Sequence, residues 1–115
     1  MFKVIVSFAL CGLVIGLKPL PAWAEPGDAV QGKAIYERLC ITCHGAQGKG
    51  DGSASKMLTP PPADLTSPKI TSKPDGDLLQ AIQNGRPPTT MPAFKGQLSE
   101  QQMHDILAYV RSLGR

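Results

Sequence analysis

Two thiols and an imidazole fall within five consecutive residues, Cys40-Ile41-Thr42-Cys43-His44. Cysteines three apart lie on neighbouring faces of a helical turn. From there both sulfurs can add across the two vinyl groups of one porphyrin, and a histidine immediately after is held beneath its iron. C-x-x-C-H is the attachment pattern of c-type haem. Other uses of these residues fit less well. A thioredoxin-like dithiol needs a βαβ setting, and no stretch of this chain alternates as a strand. A structural zinc site wants four ligands, and the one other histidine, His104, falls on the polar side of a helical pattern. A plain disulfide leaves the histidine unexplained.

An iron held by His44 has a second axial position, for which the chain offers Met57, Met91, Met103 and His104. Met103 falls on an apolar helical stripe and reads as core. His104 reads as a solvated helix residue, and Met57, just after a glycine-rich stretch, as a small hydrophobic filler. Met91 is different, lying in Arg86-Pro87-Pro88-Thr89-Thr90-Met91-Pro92, which cannot be regular structure. Proline-stiffened backbone holds a weak thioether ligand with little ordering cost. Met91 is the preferred axial ligand and Met57 the second candidate.

The elements that must position these residues are helical, with a loop-rich middle. Asp28 is a suitable N-cap for a first helix from about Ala29 into Cys40, whose inward stripe holds Gly32, Ile35, Tyr36, Leu39 and Cys40. Glycines at 45, 48, 50 and 52 predict a loop, and Pro60-Pro61-Pro62 an extended passage. A short helix is predicted from near Asp75 and Asp77, burying Leu78, Leu79 and Ile82 and stopping at Gly85. Ser99 and Gln102 form a capping box. Met103, Ile106, Leu107, Val110 and Leu113 then follow helical spacing. The predicted class is all-α.

Ahead of this domain, residues 1–24 have the layout of a secretory signal peptide: Lys3, an uncharged run over residues 4–17, Pro19 and Pro21, then Ala22-Trp23-Ala24. The run stops at Lys18, short of the roughly 20 apolar residues that span a bilayer. Cleavage is therefore expected between Ala24 and Glu25, leaving one domain over residues 25–115. Removal of Lys3 and Lys18 leaves 10 Lys and Arg against 9 Asp and Glu, lowering the net charge from +3 to +1. No basic cluster remains that would bind nucleic acid. Tyr36, Phe94 and Tyr109 are then the only aromatic residues kept. So small and aromatic-poor a domain leans on a cofactor or cross-link for its core.

Over residues 27–115 the chain resembles the class I monohaem cytochromes c. Gly32 and Tyr36 are similar to the glycine and aromatic residue through which that family's N-terminal helix crosses its C-terminal one, with Tyr109 as the aromatic partner. Residues 45–52 and Pro60-Pro61-Pro62-Ala63-Asp64-Leu65 resemble the family's glycine loop and proline segment. Met91-Pro92-Ala93-Phe94 resembles its distal methionine loop.

The resemblance implies a cytochrome c fold, with crossing terminal helices and short middle helices and loops wrapped around one covalent haem c. Cys40 and Cys43 would be its thioether sites, with His44 and Met91 the axial iron ligands. A carbonyl of Pro60, Pro61 or Pro62 would accept the His44 ring N–H, raising its basicity. Histidine opposite methionine favours the ferrous state. The expected protein is a soluble, monomeric periplasmic electron carrier and not an enzyme. It would meet redox donors and acceptors through interfaces under about 1,200 Å², with Lys49, Lys56 and Lys95 available around the haem edge. The alternatives are a subunit docked permanently to a larger dehydrogenase or oxidase, and a haem-based gas sensor or enzyme in which Met91 does not ligate.

Overall fold

The computed structural model describes residues 26–115, together with Gly16. The leader expected over residues 1–24 lies, Gly16 apart, outside the described residues. Helix α1 (Ala29–Leu39) begins where Asp28 caps it, the carboxylate accepting the N–H groups of Val30 at 2.8 Å and Gln31 at 3.3 Å. Helix α5 (Glu100–Leu113) begins with both halves of the capping box. Ser99 Oγ accepts the Gln102 N–H at 3.1 Å, and Gln102 Oε1 accepts the Ser99 N–H at 2.9 Å.

These two helices cross through the contact that the resemblance implied. A Cβ on Gly32 would stand 1.8 Å from the carbonyl oxygen of Asp105, so only a glycine lets the backbones meet. One turn on, Tyr36 packs edge-on against Tyr109, with ring centroids 5.1 Å apart and planes at 64°. Met103, Ile106, Leu107 and Val110 face Ile35 and Tyr36 in the core, joined by Leu78, Ile82 and Phe94. Asp105 is buried in this layer. Its carboxylate accepts the Asp28 N–H at 2.8 Å and Gln101 Nε2–H at 3.0 Å, pinning the start of α1 to α5.

Between them lie α2 (Ile41–His44), a 3₁₀ turn (Ser55–Met57), α3 (Pro68–Thr71) and α4 (Asp75–Asn84). Helix α4 buries Leu78 and Ile82, and Gly85 ends it with φ 68°. Arg111 fastens α4 to α5. Its guanidinium donates to Asp75 Oδ1 at 2.7 Å and to the carbonyl oxygens of Thr71, at 3.1 Å, and Lys73. Among the described residues there is no strand, only an isolated bridge between Lys95 and Leu98, and the all-α class holds. No helix among them is long and apolar enough to cross a membrane.

Three expectations need correction. Helix α1 stops at Leu39 with Cys40 as its C-cap, and Leu39 is 41% exposed instead of joining the inward stripe. Met57 is not a filler: the 3₁₀ turn puts it on the surface, 79% exposed. His104 is half-buried, because the start of the domain packs along its helix; a Cβ on Gly27 would lie 2.2 Å from its carbonyl oxygen.

Candidate functional site

Cys40 is the joint between α1 and α2. Its N–H donates to Tyr36 O at 2.8 Å, closing α1, and its own carbonyl accepts the N–H groups of Cys43 at 3.2 Å and His44 at 2.9 Å, opening α2. The C-x-x-C-H run is therefore a single turn pinned at both ends. Both cysteines are unpaired and half-buried. Burial, and then the neighbouring Cys43, push the Cys40 thiol up to about 11, so it is a neutral thiol at pH 7.

A helix of four residues leaves its carbonyls without intrahelical partners, and the glycine loop supplies them. The N–H groups of Gly50, Gly52 and Ala54 donate to the carbonyls of His44 at 2.8 Å, Cys43 at 3.1 Å and Thr42 at 3.0 Å. Such close wrapping needs glycine at position 52, where a Cβ would lie 2.2 Å from Thr42 O. It also needs one at position 45, where φ is 83°. The glycines read from the sequence as loop formers thus build a cradle around α2.

The His44 ring sits 3.0 Å, through Nδ1, from the carbonyl oxygen of Ala63. The supporting carbonyl is therefore one residue beyond the three prolines expected to provide it. A hydrogen-bonded turn starts at the next residue, Asp64, and Gly50 packs so close that a Cβ there would be 2.6 Å from Pro62 O. A carbonyl can only accept, so Nδ1 carries the proton and Nε2 keeps the free lone pair. Burial holds the His44 pKa below its ordinary value, the bond to Ala63 opposing this, so the ring is neutral at pH 7. A neutral imidazole with Nδ1 engaged and Nε2 unprotonated, beside two thiols on one turn, is the donor set that covalent haem needs. Among the described residues, no three His, Cys, Asp or Glu side chains converge as a zinc site would require.

Met91 belongs to a second unit built on the end of α4. Its carbonyl accepts the Arg86 N–H at 3.3 Å, and its N–H donates to Thr89 Oγ1 at 3.3 Å. The N–H groups of Phe94 and Lys95 donate to Ile82 O at 3.0 Å and Gln83 O at 3.1 Å. With Phe94 buried as an anchor, the half-buried Met91 is held by backbone bonds on both sides. Met103, by contrast, is core. Sequence reasoning missed Ala63, whose contribution is backbone alone. It also missed the Tyr36 hydroxyl, which donates to Gly45 O at 2.6 Å immediately after His44.

Comparison with known proteins agrees with this geometry. The sequence profile of the family described as Cytochrome c matches residues 29–114. Cytochrome c6 of Nostoc sp. is 34% identical over 108 residues, covering 94% of this chain and 91% of that protein. Cytochrome c-554(547) of Halothiobacillus neapolitanus is 34% identical over 94 residues, covering 76% of this chain and 98% of that protein. Among solved structures, a chain of the reducing HAO-like protein complex of Kuenenia stuttgartiensis superposes with a TM-score of 0.68 at 27% identity. That match covers 79% of this chain and 44% of the other. The chain belongs to the cytochrome c family, as a small monohaem c-type cytochrome that transfers electrons through a covalently bound haem c.

Proposed function

We propose that Cys40 and Cys43 form the two thioether links, that His44 Nε2 and Met91 Sδ are the axial iron ligands, and that the protein shuttles single electrons between redox proteins in the periplasm. The observation that carries this reading is the His44 Nδ1–H bond to Ala63 O, which leaves Nε2 as a fixed, unprotonated donor. When bound, the haem supplies a one-electron ferric–ferrous couple. The chain's own residues keep the surroundings of that couple constant. The cradle of residues 45–52 and the Ala63 carbonyl fix the His44 ring, and the Arg86 N–H bond to Met91 O, the Met91 N–H bond to Thr89 Oγ1 and the Phe94 N–H bond to Ile82 O fix the Met91 loop. With His44 and Met91 both holding the iron, no position would be left open for a substrate, which fits an electron carrier and not an enzyme.

In this reading residues 1–24 are an export signal cleaved before Glu25, supported by the charge, run length and small residues around Ala24. The product over residues 25–115 is a monomer without stable membrane insertion, and it meets its donor and acceptor briefly. A second reading, a subunit docked permanently to a larger redox enzyme, is favoured by the likeness to a chain within the Kuenenia stuttgartiensis complex. A redox titration of the exported holoprotein tests the function. A single reversible one-electron wave from a lone polypeptide starting at Glu25 supports the free carrier. Co-purification with a second polypeptide transfers support to the docked subunit, and the absence of a reversible wave contradicts both.

A further inference from the structure

The Ala63 carbonyl that meets His44 is the last residue before a hydrogen-bonded turn. Asp64 Oδ1 accepts two bonds from one residue, from the Thr66 N–H at 2.8 Å and from Thr66 Oγ1–H at 2.6 Å. The Asp64 carbonyl accepts Ser67 Oγ–H at 2.8 Å and the Ser67 N–H at 3.2 Å. Lys49, in the glycine loop that wraps His44, reaches across to Thr66 Oγ1 at 2.9 Å. The Leu65 N–H adds a backbone bond to Gly48 O at 2.6 Å. A chain of polar contacts, Lys49 to Thr66 to Asp64, therefore ties the loop following His44 to the turn that directly follows the Ala63 carbonyl.

We propose that Asp64 and Thr66 are positioning residues for His44, setting the strength of the Ala63 O···H–Nδ1 bond and through it the donor strength of Nε2. The reading rests on His44 being an axial ligand. An Asx turn of this kind fixes the backbone from Asp64 to Thr66, the segment directly joined to the Ala63 carbonyl, and partners of a ligating histidine tune its basicity. The bonds from Thr66 hold the Asp64 carboxyl below the ordinary carboxylate range, so the network is intact at neutral pH. Loosening the turn weakens the bond to Nδ1, makes the imidazole a poorer donor to ferric iron, and raises the reduction potential.

The test uses reduced holoprotein and two readouts, the solvent-exchange rate of the His44 Nδ1 proton by NMR and the reduction potential. Thr66→Val removes the hydroxyl and leaves the charge unchanged. It is expected to speed exchange by about tenfold, the worth of one hydrogen bond, and to raise the potential. Asp64→Asn is expected to move both readouts in the same direction and the potential further, since it also removes a negative charge. Thr66→Ser, which keeps the hydroxyl, is expected to match wild type. Lys49→Gln, on the exposed loop, supplies a variant that folds even if the others do not; it is expected to speed exchange by less than Thr66→Val, and exchange alone is its readout because loss of a positive charge by itself lowers the potential. Unchanged exchange and potential in Thr66→Val, or unchanged exchange in Lys49→Gln, whatever the change in melting temperature, would overturn the proposal and leave the network a purely structural one. If the wild-type Nδ1 proton shows no shift from a neighbouring haem, the ligand assignment itself fails and the proposal falls with it.

Discussion

The Tyr36 hydroxyl donates to the carbonyl of Gly45 at 2.6 Å while its ring stands edge-on to Tyr109 at 5.1 Å. One side chain thus joins the crossing of the terminal helices to the residue that follows His44. Tyr36→Phe keeps the ring contact and leaves the Gly45 carbonyl without this partner. The expected loss is about 1–2 kcal/mol, read as a lower denaturation midpoint at unchanged denaturant slope, with Tyr109→Phe nearly neutral.

The same phenol gives the protein an alkaline limit. Burial, ahead of the neighbouring Cys40, Tyr109 and Asp51, raises the Tyr36 pKa well above its ordinary value. A group that holds its proton more tightly when folded stabilises the fold fully below its unfolded pKa and progressively less above it. Stability should therefore fall as pH rises beyond about 10. Equilibrium unfolding followed from pH 8 to 11 should show that decline, and Tyr36→Phe should flatten it.

Two glycines on helices should respond in opposite ways. Gly32→Ala places a methyl 1.8 Å from Asp105 O, where backbone faces backbone and neither can yield locally. It should cost about 3 kcal/mol by forcing the helices apart. Gly76, in the first turn of α4, has nothing within 4 Å of the point where an added methyl would sit. Gly76→Ala should therefore stabilise by about 0.5 kcal/mol through helix propensity and a less flexible unfolded chain. Thermal melts of the two variants check the pair together.

Arg111 should matter more than its acidic partner. Asp75→Asn removes a charge from an ion pair whose carboxylate is largely exposed, and such pairs contribute under about 1 kcal/mol. Arg111→Met also takes the donors away from the carbonyls of Thr71 and Lys73. A loss of about 2 kcal/mol is expected. Hydrogen exchange should speed up first in α3 and at the start of α4.

How much of this was legible in the sequence depended on whether side chains or backbone did the work. The capping box at Ser99, the stop at Gly85 and the close approach at Gly32 are written in residue types with few other uses, and each stands where it was expected. The segments α2, α3 and the 3₁₀ turn span three or four residues each, too few for any period to show. Ala63 was missed because a carbonyl leaves no mark on the residue that bears it; only the turn from Asp64 to Ser67 reveals which one faces the ring. Asp105 carries no mark of burial in its residue type; the Asp28 N–H across the helix crossing and Gln101 Nε2–H satisfy its carboxylate there. Leu39 keeps the helical spacing of Ile35 but stands at the last residue of α1 and is exposed, while Cys40 beyond it packs against the core.

Whether Met91 closes the iron can be read from carbon monoxide difference spectra of the reduced, haem-loaded protein at neutral pH, beside those of Met91→Ala. Wild type should show no change with the gas, and the variant should bind it. Ready binding by wild type would contradict the assignment and favour a gas sensor or enzyme over an electron carrier.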